Sequence, residues 1–260
     1  MPQYGIKIWS KDVYKNPEFF RQCVKAVKEQ IFNYIELFVI ADTFDETSGA
    51  LGAELNGLPV IIHAPHASFG LNTGDRELET SNRHQLRDSR RFADLLHSET
   101  IILHAGEGEG ETYINETIRQ FRLINDPRIT LENLPYQCSS THKILHGSSV
   151  EEVRQIIAET GCQFCLDFSH AVCASNHHQL DVYKELERYN ALHPVMYHLC
   201  DGDINSEVDQ HLHYGEGNYD LKRIHNQIIR DNAPLTLETG HEIPQDITPW
   251  LNDLHFLQSL

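Results

Sequence analysis

Residues 128–170, RITLENLPYQCSSTHKILHGSSVEEVRQIIAETGCQFCLDFSH, hold the pattern on which the fold turns. RITLE and QFCLD are short runs of apolar and β-branched residues and read as strands. Between them Ser148 or Ser149 precedes a stretch that reads as helix to Thr160, with Glu151 and Glu152 in its first turn. That is the signature of a capped helix. Each of the two strands ends in a carboxylate, Glu132 and Asp167.

The same unit recurs in both directions. Toward the N-terminus the strands are GIKIW from Gly5, YIELFVI from Tyr34, PVIIH from Pro59 and TIILH from Thr100. Toward the C-terminus they are VMYHL from Val195 and LTLE from Leu235. Helices are predicted near Pro17–Gln30, Thr47–Asn56, Glu77–His97, Glu111–Ile124, Ser149–Thr160, His177–Asn190, Tyr219–Arg230 and Pro244–Leu257. The second of these, DETSGALGAELNG, carries several glycines and reads largely as loop. Strand–helix alternation repeated eight times predicts a parallel sheet closed into a (β/α)8 barrel of the α/β class. The chain of 260 residues suits one such domain spanning 1–260, with no linker or repeat to divide it. Lys7 and Glu36 sit oddly inside strands; they either pair across the barrel interior or lie at a solvated end.

The strand ends carry the chemistry. Strand three ends in His63, four in His104, five in Glu132, six in Asp167, seven at His198 and eight in Glu238. A barrel brings these ends to one rim, where its active sites are built. Chance would scatter such residues over helix faces that water solvates. His170, Asp209 and His211 lie just beyond the strand ends and join the candidates. Imidazole with carboxylate suits zinc first, with manganese or iron as the alternatives. Nine ligands exceed the needs of one or two four-coordinate ions, so three divalent ions are expected.

Composition points the same way. The chain has 17 His, about twice average usage. Its formal charge of −17 is unusual for a protein that meets nucleic acid. Three divalent ions against four carboxylates would leave the cluster locally positive, which attracts a phosphate ester more than a neutral sugar. Met1 to Trp9 lack a basic start and an apolar stretch, and no run approaches about 18 apolar residues. No membrane segment is therefore expected. Six Cys in no dense pattern fit a reducing cytoplasm. Cys162 and Cys165 fall on a strand, where i and i+3 face opposite ways, so they read as buried thiols rather than a zinc pair.

In order, VIIHAPH, IILHAG, ITLEN, CLDFSHA, YHLCD, DQHLHYGEG and LTLET resemble the motifs of the endonuclease IV family of apurinic/apyrimidinic-site endonucleases. That family lies within the xylose isomerase-like barrels. The resemblance spans about residues 59–240. It implies one metal on His63, His104 and a bridging Glu132, a second on Glu132, Asp167, His198 and Glu238, and a third on His170, Asp209 and His211. It further implies phosphodiester hydrolysis by a metal-activated hydroxide, with Glu132, Asp167 and Glu238 catalytic and abasic DNA as partner. A monomer is the default.

The chain departs from the family in three places. Residues before 59 do not match its N-terminal motifs. The aromatic expected three positions after the first ligand His is His66 here, with Phe69 or Leu71 placed to substitute. The loop after strand five is YQCSSTHKILHG instead of glycine-rich. From that loop Lys143, with His142 and His146, is a candidate phosphate contact, as His66 and Phe69 are for substrate. Arg83, Arg87, Arg90 and Arg91 read as a solvated helix face, and Gly215 and Gly217 as turn formers. The rival readings are a sugar isomerase or epimerase using one ion on Glu132, Asp167, His198 and Glu238, a hydrolase of a non-DNA phosphoester, and a metal-binding regulator without activity.

Overall fold

The computed structural model describes residues 1–240 and 244–260. Eight strands run parallel: β1 Gln3–Trp9, β2 Tyr34–Phe38, β3 Val60–His63, β4 Ile101–His104, β5 Ile129–Glu132, β6 Gln163–Asp167, β7 Met196–Leu199 and β8 Pro234–Leu237. Each pairs with the next, and β8 pairs with β1, closing the expected barrel. Helices α1 Asp12–Lys15, α2 Pro17–Lys28, α3 Phe44–Leu55, α4 Glu79–Leu96, α5 Glu111–Ile124, α6 Val150–Thr160, α7 Phe168–His177, α8 Val182–Asn190, α9 Leu221–Arg223 and α10 Thr248–Gln258 connect them.

Two apolar regions hold the barrel. The larger lies between strands and helices and includes Ile6, Ile8, Leu37, Phe92, Leu131, Val153, Leu166 and Leu237. The smaller plugs the barrel itself: Tyr34, Ile61, Ile102, Cys165 and Met196. Gly5 makes room for that plug, since a Cβ on it would lie 2.2 Å from the Tyr34 ring. The Tyr34 hydroxyl spans the interior to Thr236 Oγ1 at 2.8 Å.

Several local expectations change. The glycine-containing second unit is helix α3, not loop. It packs Leu51 and Leu55 inward and sets Gly52 against the Leu95 side chain of α4, so tertiary packing overrides weak propensity. Helix α7 begins directly after β6, where loop was expected. Asp167 caps it, its Oδ1 accepting from His170 N at 2.6 Å. The helix expected over 177–190 is consequently two pieces, α7 ending at His177 and α8 starting at Val182. The stretch expected over 219–230 shortens to α9 and a π turn, Ile224–Ile228. Cys165 is buried and Cys162 half-buried, both free thiols.

The arginines of α4 stay outside and are matched by acids: Arg83 with Glu79, Arg87 with Asp42, Arg90 with Asp126 and Arg91 with Asp45. Helix α6 opens as its sequence indicates. Ser149 Oγ accepts from Glu152 N at 3.2 Å, and Glu152 Oε2 accepts from Gly147 N at 2.9 Å. Replacing Ser149 with alanine is expected to destabilise the protein by about 1 kcal/mol in urea denaturation, with an unchanged m value.

Candidate metal centre

Strand geometry builds the site. Side chains alternate between barrel interior and helix layer, so the residue two beyond each plug position also faces inward. Above Gly5, Tyr34, Ile61, Ile102, Thr130, Cys165, Met196 and Thr236 stand Lys7, Glu36, His63, His104, Glu132, Asp167, His198 and Glu238. Every strand thus contributes one ionisable group to a single layer at the rim. Glu238 lies one residue past β8, and His198 one before the end of β7.

These donors converge into groups whose ligand atoms lie within 4.8 Å of one another. His63, His104 and Glu132 form one group, and Glu132, Asp167, His198 and Glu238 another. Glu132 is common to both: its Oε2 is 3.2 Å from His63 Nε2 and 3.0 Å from His104 Nε2, while Oε1 is 3.2 Å from His198 Nδ1. At a third corner Asp209 and His211 are joined by Cys200. His170 stands beside them, its Nε2 3.4 Å from Asp209 Oδ2.

The histidines are set by their outer partners. His63 Nδ1 faces the Ala64 carbonyl at 2.8 Å, His170 Nδ1 the Asn133 carbonyl at 2.9 Å, and His211 Nδ1 the Glu238 carbonyl at 2.7 Å. A carbonyl only accepts, so each Nδ1 carries the proton and Nε2 turns to the cluster. His198 is reversed. Its Nε2 donates to Glu36 Oε2 at 2.8 Å, leaving Nδ1 toward Glu132 and Glu238. Glu238 Oε2, 2.7 Å from that nitrogen, is buried without a hydrogen bond. A nitrogen and an oxygen so placed need positive charge between them, a proton or a metal ion, and the donor set fits a divalent ion there.

Glu36 is the functional residue that sequence reading placed only as an ion-pair partner. It is fully buried and also accepts from Thr236 Oγ1 at 2.6 Å. Lys7 Nζ lies 3.2 Å from Glu36 Oε1 and 2.5 Å from Glu238 Oε1, which favours the cross-strand pairing over a solvated end. An acid inside an apolar strand was its only signal.

The family profile described as Xylose isomerase-like TIM barrel matches residues 24–260. Endonuclease 4 of a Thermus thermophilus strain is 32% identical, over 69% of this chain and 68% of that protein. The chain belongs to the endonuclease IV family of xylose isomerase-like TIM barrels. Among solved structures, endonuclease IV from Thermus thermophilus shares 22% identity, with a TM-score of 0.67 over 99% of both chains. A D-tagatose 3-epimerase-like protein shares 17% identity, with a TM-score of 0.73 over 99% of this chain and 96% of that one. An AP endonuclease, family 2, from Brucella melitensis shares 15%, with a TM-score of 0.70 over 100% and 99%.

In this endonuclease IV-family chain the layer opens into a cleft of about 1150 Å³. One wall is aromatic: Trp9 packs on Phe38 and Phe69, and His66 reaches from Phe69 to His104. His66 lines the cleft, and Trp9 adds a ring that sequence reading missed, whereas Phe69 packs against both without lining it. Lys143 does not line it. Its Nζ turns to Glu107 at 3.2 Å, while Lys11, just before α1, and Lys15, at its end, reach the cleft. Gly215 and Gly217 shape a turn: their amides donate to Asp201 Oδ2 at 2.9 and 3.0 Å, leaving none for phosphate. That turn carries the chain back from Asp209 and His211.

Like charges dominate the layer. Burial, with Glu238, Glu132 and Asp209 beside it, lifts Asp167 to about 7 against the pull of His170. Burial depresses His211, but Asp209 outweighs it and raises the imidazole to about 9. Protons at these groups stand where a cation would relieve the same repulsion. Both folded-state values lie above the unfolded ones, so the Asp167 contribution is complete only below its ordinary 3.8 and is lost as pH rises to about 7, while that of His211 is complete below its ordinary 6.5 and is lost by about 9. A zinc ion bound here would have to displace those protons. The gain in Tm on adding Zn²⁺ to chelator-stripped protein should therefore grow from about pH 5.5 to 8, read by scanning fluorimetry. A gain independent of pH would contradict this assignment.

Proposed function

We propose that the protein is a metal-dependent phosphodiester hydrolase that cleaves DNA at apurinic or apyrimidinic sites with three divalent ions at the rim. Zinc is the first choice, with manganese or iron as alternatives. The observation that carries this reading is Glu132, whose two oxygens serve two donor groups at once. A single-ion enzyme has no use for His63 and His104 on its far side.

When bound, such ions supply Lewis-acid charge and lower the pKa of a water for attack on phosphorus. The protein's part is placement. Glu132 bridges the two groups. Asp167 and Glu238 orient the reacting centre from either side of β7, and Lys7 holds Glu238 Oε1 so that Oε2 points inward. His170, Asp209 and His211 hold the third corner. His66 and Trp9, with Phe69 packed against both, offer rings for sugar or base, and Lys11 and Lys15 offer charge for flanking phosphates. All six cysteines are free, which supports a reducing cytoplasm. Among the described residues no helix is long and apolar enough to cross a membrane. We take the working unit to be a monomer.

Cleavage of an abasic-site duplex should disappear in chelator and return with Zn²⁺ or Mn²⁺. Glu132→Gln should lower kcat by at least about 100-fold, beyond what outer-sphere changes cost. With Lys11 and Lys15 as the phosphate contacts, log K against log salt should slope by only about −2. Full metal loading without DNA cleavage would instead assign a smaller phosphoester.

A second reading is supported by the tagatose 3-epimerase-like match and by the quartet Glu132, Asp167, His198 and Glu238, which alone suits one ion and a sugar carbonyl. Turnover of a keto-sugar with one metal equivalent per chain would replace the hydrolase with an isomerase.

A further inference from the structure

Cys200 stands two residues after His198, so strand alternation turns both side chains to the same interior. It is 2% exposed, and its Sγ lies 3.9 Å from Asp209 Oδ1. Its sulfur, an Asp209 oxygen and a His211 nitrogen lie within 4.8 Å of one another. In a tetrahedral zinc site with Zn–S of ~2.3 Å and Zn–O of ~2.0 Å, sulfur and oxygen stand about 3.5 Å apart. The observed separation is therefore close to a ligand edge.

A second observation points to an ion at this corner. Asp209 Oδ2 is 2.5 Å from His211 Nε2 and 3.4 Å from His170 Nε2. The Nδ1 atoms of both rings already face carbonyls, so both Nε2 atoms converge on the same carboxylate oxygen. This is how a metal-bound His₂Asp set is arranged.

We propose that Cys200 is a thiolate ligand of the ion at the third corner, completing a Cys200, Asp209, His211 and His170 set. The inference rests on the metal-centre part of the proposed function and is independent of the substrate. On binding, a metal–sulfur bond forms and the Cys200 S–H proton leaves to solvent. With four protein donors this ion would be held in the manner of structural zinc, whereas the three-donor group of His63, His104 and Glu132 would keep a position open. Sulfur also biases the corner toward zinc or cobalt over manganese.

The test is cobalt loading of the full-length, chelator-stripped protein. The wild type should show a near-ultraviolet sulfur-to-cobalt charge-transfer band. Cys200→Ser and Cys200→Ala should lose the band and weaken one bound ion by at least about tenfold in chelator competition. Cys165→Ala and Cys173→Ala, the other buried thiols near the layer, should keep it. Cobalt bound without the band, or a band that survives Cys200→Ser, overturns the thiolate and leaves the metal centre standing. No cobalt uptake at all removes both. Should the Cys200 variants fail to fold, X-ray absorption of zinc-loaded wild type decides: a sulfur shell at ~2.3 Å is expected, and a shell of nitrogen and oxygen alone refutes the ligand.

Discussion

Five carboxylates, Glu36, Glu132, Asp167, Asp209 and Glu238, are gathered at one barrel mouth, three of them almost wholly shut from water. Burying so much like charge is costly unless counter-charge is buried with it. The upper half of the molecule answers that constraint. Lys7 braces Glu36 and Glu238 from β1, while imidazoles from five chain segments turn a nitrogen toward the remaining oxygens. Where these are insufficient a proton fills in, as the raised Asp167 shows. Divalent ions would meet the same demand with more charge in less space.

The layers below and around the mouth serve that arrangement. The apolar plug of Tyr34, Ile61, Ile102, Cys165 and Met196 supports the ionisable layer and keeps water from entering beneath it. Helix α7 starts on a carboxylate of the layer, so Asp167 spends one oxygen on capping and keeps the other for the centre. Asp201 collects the amides of Gly202, Gly215, Gly217 and Tyr219 and thereby fixes the turn that follows His211. Support and site share residues, which couples fold stability to the chemistry.

The same scaffold is shared with endonuclease IV and with a D-tagatose 3-epimerase-like protein, and the rim is where its donors are gathered. The four-residue group on Glu132 gathers enough donors to hold one ion. His63 and His104 extend it on one flank, and the corner at Asp209 extends it on the other. The aromatic wall of Trp9, Phe38 and Phe69 is built largely from the N-terminal strands, where the chain departs from the endonuclease IV motifs. The aromatic wall is thereby separated in sequence from the cluster of His and carboxylate donors.

The barrel, its strand order and six of the eight rim groups were legible in the sequence. A strand's period of two, with a polar group at its end, survives any tertiary context. Helix α3 was only weakly legible, and helix α7 was not. The first depends on packing against α4, and the second on Asp167 acting as cap, which its place at a strand end concealed. Nor did spacing reveal that Glu36 orients His198, that Cys200 meets Asp209, or that Lys143 turns to Glu107. Those are choices among partners far apart in the chain. Closure of β8 onto β1 sets which side chains face each other across the mouth, and that distance is not written in any single stretch of sequence.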